Sequence, residues 1–405
     1  MQGKVDSRAM REVNRSLLLD LIRRSGRVSR TDLARRSELT KPTVSAIVEE
    51  LISEGVVQEV GLGQSVPTGG RRARLLEFND SSAAYLGLRL GVHTTCVAVA
   101  DARGSIRGLE CAPTPVDQPE DVLAAALALV EPALRQAQIP RERLQGVGVA
   151  LGGLVDARTG QCVSSPSLGG RSFPVRDWLQ QALGLPVTVS DVADAAALAE
   201  LRLGIAQGCR NFVWIYLGTG LGAGIVIDGH VYSGHRGFGG QLGQCRWAHG
   251  GPTLEALASG RALVERAREL REERPADYAD VFPESPSAAD LIRLALSGDE
   301  TCRKLLEEGG SRLGFGVAQL VNLLNPELVV VGGPLLQAGA WLLDPLRAAV
   351  EHHVLPVQET HIVPTELGDR AATAGAVLNA MEHAVQSYRI VAAAPVLGGL
   401  ARAHG

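Results

Sequence analysis

Nothing in the 405 residues has the length or polarity of a membrane span. No uninterrupted apolar run reaches the roughly 18 residues that a membrane-crossing helix needs. The N-terminal stretch MQGKVDSRAMREVNRS is charged where an export signal would carry its apolar core, so a cytoplasmic chain without a membrane partner is expected. Cysteine is scarce as well. Cys96, Cys111, Cys162, Cys209, Cys245 and Cys302 are scattered and include no CxxC pair. That spacing argues against a cysteine-rich metal site and predicts reduced, mostly buried thiols rather than disulfides.

What is present is an ordinary globular composition, 45% hydrophobic and 21% charged, in a chain too long for one domain of roughly 100–200 residues. The net charge of −4 is unevenly spread. Residues 1–80 hold 14 Lys or Arg against 11 Asp or Glu, whereas the remainder holds 26 against 33. A mildly basic head on an acidic body suits a polyanion bound at one end only.

The head, residues 1–80, reads as three helices and a hairpin. Leu17, Leu18, Leu21 and Ile22 repeat at helical spacing and predict a first helix ending near Ser25-Gly26. Ser29 offers an N-cap with Asp32 three residues on, opening a short second helix through Arg36. After a turn at residues 37–39, Thr40 is the next N-cap, and Pro42 stands in the first turn where its missing N–H costs nothing. Val44, Ile47, Val48 and Leu51 form one apolar stripe, and Gly55 ends the helix. Lys41, Thr43, Ser45 and Ala46 lie off that stripe and are short or cationic, as in the base-reading end of a helix-turn-helix. Strands at 56–60 and 74–78 flank GLGQSVPTGGRRA, a wing whose Arg71 and Arg72 would reach phosphates or a minor groove. Arg30, Lys41, Thr43, Ser45, Arg71 and Arg72 are the expected DNA-contacting set. The competing reading is a three-helix protein-docking module with solvated arginines.

The body, residues 81–386, alternates short β runs with helices. AYLGLRL, TTCVAVAD and IRGLECA read as consecutive strands, followed by a helix over 120–138 and a strand over 146–151. NFVWIYLG and GAGIVIDG open a second round, and LVVVGG and residues 361–364 supply later strands. Two lobes, each a sheet covered by helices, predict a ligand in the cleft between them. The glycine-rich LGTGLGAGIVIDG admits two readings. Gly218, Thr219, Gly220 and Gly222 form either a cradle for a ligand phosphate or a β-hairpin needing positive φ and small residues. The last residues, 387–405, are apolar and punctuated by Gly and Pro, and either pack on the body or trail from it.

GTGLGAGIVIDGHVYSG, SDVADAAALAE, TLEALASG and NPELVVVGG stand in order behind RTDLARRSELTKPTVSAIVEEL and TGGRRARLLEF. Together they resemble the ROK family, which unites bacterial sugar kinases with transcription repressors of the NagC/Mlc/XylR type. The resemblance covers roughly residues 10–386, and the winged head marks the regulator branch. It implies an α/β fold with a winged helix-turn-helix followed by a two-lobed, actin-like and ribonuclease-H-like body. It also implies operator DNA and a sugar-type effector as partners, in homodimers or homotetramers.

The chain departs from the kinase pattern in three places. Family kinases take the sugar proton with the Asp of an END-x-N stretch. Here Ser190, Asp191 and Val192 replace Glu, Asn and Asp, and valine accepts no proton. The first phosphate motif, G-I-D-I-G-G-T in the family, is Gly87-Leu88-Arg89-Leu90-Gly91-Val92-His93. Arg89 replaces the metal-managing Asp and is either structural or an attractor of an anionic effector. Where the family shows GE-x-GH and a cysteine cluster, Gln241 and Gln244 replace Glu and His, and Cys245 and His249 remain. One Cys and one His fall short of tetrahedral zinc, and the alternative is a site using His230 or His235. Glu255 stands at the family's sugar-contacting position. The resemblance thus predicts an effector site of Ser167, Arg171, Asp191, Gln241, Gln244 and Glu255, with no resident cofactor, no structural zinc and no catalytic residue. The expected function is a sugar-controlled repressor. The alternatives are a sugar kinase with a DNA-binding appendage, or a regulator whose body senses a protein.

Overall fold

The computed structural model describes residues 7–62, 73–115, 118–246, 248–278, 281–357 and 359–393. The chain divides into two compact units. One comprises Met1–Ala84 together with Ala100–Ser105 and Ile139–Leu144; the other holds the remainder.

In the first unit, α1 (Ser7–Ser25), β1 (Arg27–Ser29), α2 (Arg30–Ser37) and α3 (Lys41–Ser53) precede β2 (Val57–Leu62) and β3 (Arg74–Phe78). The sheet runs β1-β3-β2, with β1 and β2 both antiparallel to β3. Ser29 Oγ accepts the Asp32 amide and Thr40 Oγ1 accepts the Thr43 amide, as the capping pattern predicts. Leu18, Ile22, Leu33, Val44, Ile47, Val48, Leu51 and Leu76 form the core. Leu17 is 40% exposed and leaves the predicted stripe. Strand β1 has no periodic signal, because three residues are too few to show one; its pairing with Leu75–Glu77 creates it. Glu38, in the turn before α3, adopts φ 58°.

The second unit contains two five-stranded sheets. The first lobe holds β4 (Ala84–Leu90), β5 (Thr94–Asp101), β6 (Ile106–Pro113), α4 (Pro119–Ala137) and β7 (Leu144–Leu151). It continues with the β8 (Leu154–Asp156) and β9 (Gln161–Ser164) hairpin, α5 (Val175–Leu183) and β10 (Val187–Asp191). Its strand order is β10-β7-β4-β5-β6. After α6 (Val192–Leu203), the second lobe holds β11 (Phe212–Leu217), β12 (Leu221–Ile227) and β13 (His230–Val231). A helical stretch follows, α7 (Leu254–Ala258), α8 (Gly260–Glu273), α9 (Pro275–Tyr278), α10 (Ala288–Ser297) and α11 (Glu300–Leu324). Then come β14 (Leu328–Gly332), α12 (Ala340–His353), β15 (His361–Pro364) and α13 (Ala371–Ala393). The second order, β13-β12-β11-β14-β15, repeats the first: in each sheet the strands run third, second, first, fourth, fifth.

Helix α6 explains the ADAAALAE run. Every residue from Ala193 to Leu201 is buried, so this stretch of the helix has no solvent-facing side, and five of its nine residues are Ala. Helix α13 crosses it so closely that a Cβ on Gly375 would lie 1.7 Å from the Ala195 carbonyl oxygen. A Cβ on Gly148 of β7 would lie 1.8 Å from that of Ala376. Helix α13 continues to Ala393, past the predicted start of the tail at residue 387; residues 394–405 lie outside those described.

The cysteine expectation needs correction. Cys96 and Cys111 form a disulfide between neighbouring strands β5 and β6, with their Cα atoms 4.1 Å apart. Both lie equally far from the turn at Arg103-Gly104, so hairpin symmetry places them opposite each other. Cys162 and Cys302 are buried thiols as expected, and burial pushes them up to about 11 and about 12. Cys245 is exposed.

Candidate nucleic-acid interface and interlobe site

Helix α3 enters with Thr40 as its cap, Thr40 Oγ1 lying 2.9 Å from Thr43 Oγ1 and 3.4 Å from the Thr43 amide. Val44, Ile47, Val48 and Leu51 face the core. Lys41 and Ala46 are exposed, and Thr43 and Ser45 half-buried, on the other side. The predicted base-facing residues therefore all lie off the core-facing stripe, although the Thr43 hydroxyl is partly engaged in the cap. Arg71 and Arg72 lie outside the described residues.

Arg30 departs from its assigned role. Its guanidinium lies 2.8 Å from Glu59 Oε1 on β2 and 2.7 Å from Glu49 Oε1 on α3. Arg74 binds the other Glu59 oxygen. Arg30 thus ties α2 to α3 and to the wing instead of standing free for a phosphate. Hydrogen bonds from Arg74 and then Arg30 hold the Glu59 carboxyl below the usual carboxylate range. Arg11 and Arg15 of α1 pair in the same way with Glu50 and Glu54. Each of these carboxylates at α3 would repel a polyanion if unpaired, and each faces an arginine. Residue spacing cannot reveal these pairs, because they join separate elements.

In the second unit, the glycine-rich stretch forms the β11–β12 hairpin. Gly218, Gly220 and Gly222 do not have positive φ, so turn geometry does not require them. A Cβ on Gly218 would meet the Tyr216 hydroxyl at 2.6 Å, whereas one on Gly222 would meet nothing closer than 3.9 Å. Glu255, in the first turn of α7, accepts the Leu221 amide at 3.0 Å, and Arg261 donates to its other oxygen at 3.0 Å. A Cβ on Gly220 would lie 3.0 Å from Glu255 Oε2. Gln241 precedes and Gln244 ends a short 3-10 turn, and a Cβ on Gly243 between them would stand 3.2 Å from Glu255 Cβ. Neither Gln side chain has a hydrogen-bond partner among the described residues, leaving both amides able to donate and accept.

Asp191 ends β10 and caps α6. Its carboxylate accepts the Ala193 amide at 2.7 Å and the Gly153 amide at 3.4 Å. Burial outweighs these bonds and pushes it up to about 6. Burial, then the neighbouring Asp191 charge, pushes Asp194 up to about 8, against a 2.6 Å hydrogen bond from Ser233. The first turn of α6 adjoins β12, a Cβ on Gly222 being 3.9 Å from Ala193 Cβ. Glu255, the Gln241–Gln244 turn and the Asp191 cap therefore gather at the start of β12. Ser167 joins indirectly: its hydroxyl lies 2.8 Å from Ser165 Oγ, which donates to the Gly152 carbonyl. Arg171 does not join, since its guanidinium binds Gln118 at the start of α4. Val192, the first residue of α6, places its Cγ1 methyl 3.6 Å from where a Cβ on Gly152 would lie. His93 Nε2 meets Thr219 Oγ1 at 3.4 Å, linking the β4–β5 and β11–β12 turns across the lobes. No three His, Cys, Asp or Glu among the described residues stand together as a metal site would require.

This constellation can hydrogen-bond a polyhydroxylated ring but has no carboxylate at residue 192 to take a proton. Residues 85–383 match the ROK family model, and residues 13–58 match winged helix-turn-helix DNA-binding domains. The chain belongs to the ROK family.

Within that family the chain is 31% identical, over 384 residues, to a xylose repressor of Caldicellulosiruptor bescii, covering 91% of this chain and 95% of that protein. It also matches the crystal structure of a ROK family transcriptional regulator described as a homolog of E. coli MLC protein. That match has a TM-score of 0.74 and 28% identity, and covers 93% of this chain and 96% of the other. A ROK family glucokinase from Streptomyces griseus, in complex with glucose and AMPPNP, matches with a TM-score of 0.66 and 27% identity. That kinase aligns over 100% of its own length but 74% of this chain. The ROK regulators are thus similar across head and body. No described helix of this ROK protein is long and apolar enough to cross a membrane.

Proposed function

We propose that this ROK protein is a one-component repressor of carbohydrate-use genes whose operator affinity is set by a sugar, amino sugar or sugar phosphate. What carries the reading is α3: its Thr40-capped end presents Lys41, Thr43 and Ser45 while arginines neutralise the acidic residues behind. Lys41 is the phosphate contact of this set, Thr43 and Ser45 approach base edges, and Arg71 and Arg72 extend the grip from the wing.

Residues 1–80 form the DNA-binding domain, and the body is the sensor and the site of self-association as a dimer or tetramer. The effector lies at the start of β12, held by Glu255, Gln241 and Gln244, with Asp191 and Ser167 lining the opposite side. It acts only through a difference in affinity for two lobe arrangements, and it shifts DNA affinity by the same coupling free energy. Val192 supports a body that binds sugar without phosphorylating it, because positioned proton removal needs an acceptor. The protein works in the cytoplasm, where its operator is.

Genomic fragments enriched on the purified full-length protein test the reading by fluorescence anisotropy across a salt titration. Affinity is expected to fall steeply with salt, and one sugar class is expected to release the DNA. A sugar present at 100 times its dissociation constant adds roughly 2.7 kcal/mol of stability, visible as a thermal shift. Salt-insensitive binding, or a phosphorylated sugar formed from ATP, overturns the proposal.

A further inference from the structure

The ion pairs of the head and the polar groups of the interlobe site leave the Cys96–Cys111 bond without a role. It joins β5 to β6, and β6 is the edge strand of its sheet, held from one side only. The two sulfurs differ in environment. Cys96 is 5% exposed, whereas Cys111 is exposed. Behind Cys96, Arg89 directs Nη2 at its sulfur from 3.3 Å, and Arg89 Nε is buried with no hydrogen-bond partner among the described residues. A guanidinium against one sulfur and solvent against the other make the bond chemically asymmetric.

We infer that Cys96–Cys111 is a reversible thiol-modification site, opened when a low-molecular-weight thiol attacks Cys111. The attacking thiolate forms a new S–S bond to the accessible Cys111 sulfur. The Cys96–Cys111 bond breaks, and its electron pair leaves on Cys96 as a thiolate beside the Arg89 cation. Leaving-group stabilisation is what speeds thiol–disulfide exchange, and a cation beside a sulfur provides it. A second thiol then displaces Cys111 from the mixed disulfide. The protein disulfide is thereby reduced by two electrons, and two equivalents of the small thiol are oxidised to its disulfide. The products are a dithiol protein with an unstapled edge strand and an Arg89–Cys96 ion pair. A DNA-binding regulator shares its compartment with thiol reductants, where persistent disulfides are uncommon and those that form usually respond to redox state. The inference does not depend on the effector site.

The test treats oxidised full-length protein with reduced glutathione, quenches with N-ethylmaleimide and maps both cysteines by mass spectrometry. The expected first product carries glutathione on Cys111 and maleimide on Cys96. Arg89→Gln is expected to slow this step by about tenfold or more at unchanged melting temperature, and Arg89→Lys to recover part of the rate. Glutathione found first on Cys96, two free thiols in the oxidised protein, or a folded Arg89→Gln variant within about twofold of the wild-type rate overturns the inference. The attack position in the wild type decides the matter even if both variants misfold.

Discussion

Asp194 accepts a 2.6 Å hydrogen bond from Ser233 while buried beside a second carboxylate, Asp191. Burial leads the upward shift of both acids, to about 8 for Asp194 and about 6 for Asp191. The folded chain therefore binds protons that the unfolded chain has released. A raised carboxylate contributes its full stability below the unfolded value near 4, and that contribution is lost as pH climbs through the folded value.

Stability is accordingly expected to fall as pH rises from about 4 to about 8. Asp194→Asn keeps an acceptor for Ser233 and removes the charge. It should melt roughly 2–4 °C or more above wild type at pH 8, with a smaller gap at pH 5. A gap that stays constant across that range would show that Asp194 is not held protonated.

Lys41 and Arg30 separate a contact from a brace. Lys41→Ala should weaken operator binding and lower the salt slope by about one, the signature of one lost phosphate contact. Arg30→Ala leaves Glu49 and Glu59 without their shared partner. It should weaken binding roughly fivefold, about 1 kcal/mol, with the slope unchanged. Anisotropy at several salt concentrations distinguishes the two, and a slope change in Arg30→Ala would return that residue to the DNA-contacting set.

Glu255 is partly buried and shared between the Leu221 amide and Arg261. Glu255→Gln keeps the shape but weakens every hydrogen bond that the carboxylate accepts. Effector affinity should drop by about 1.5–3 kcal/mol, roughly 10- to 150-fold, with operator affinity of the free protein preserved. Isothermal titration with the active sugar measures it; an unchanged dissociation constant would move the effector elsewhere.

Gly375 permits the α6–α13 crossing by lacking a side chain. Gly375→Ala places a methyl 1.7 Å from the Ala195 carbonyl oxygen, which belongs to backbone and cannot rotate aside. The variant should lose about 1–3 kcal/mol or more of stability by urea denaturation. A loss below about 0.5 kcal/mol would mean that the two helices separate easily.

Local chemistry by itself determined the capped helices and apolar strands of the chain, though not β1. Caps at Ser29 and Thr40, the Val44–Leu51 stripe and the apolar β runs each depend on neighbours a few residues away, so they are legible along the chain. That valine at position 192 accepts no proton is equally a property of residue type. Tertiary structure decided which side chains meet. Arg30 went to Glu49 and Glu59, Arg171 to Gln118, Asp191 to the cap of α6, and Cys96 to Cys111. Those partners are 15 to 53 residues apart, except in the cap, and each geometry depends on how helices and strands pack. Burial is decided the same way: no spacing rule places Asp194 behind Ser233, yet enclosure by α6 and its neighbours is what raises its affinity for a proton.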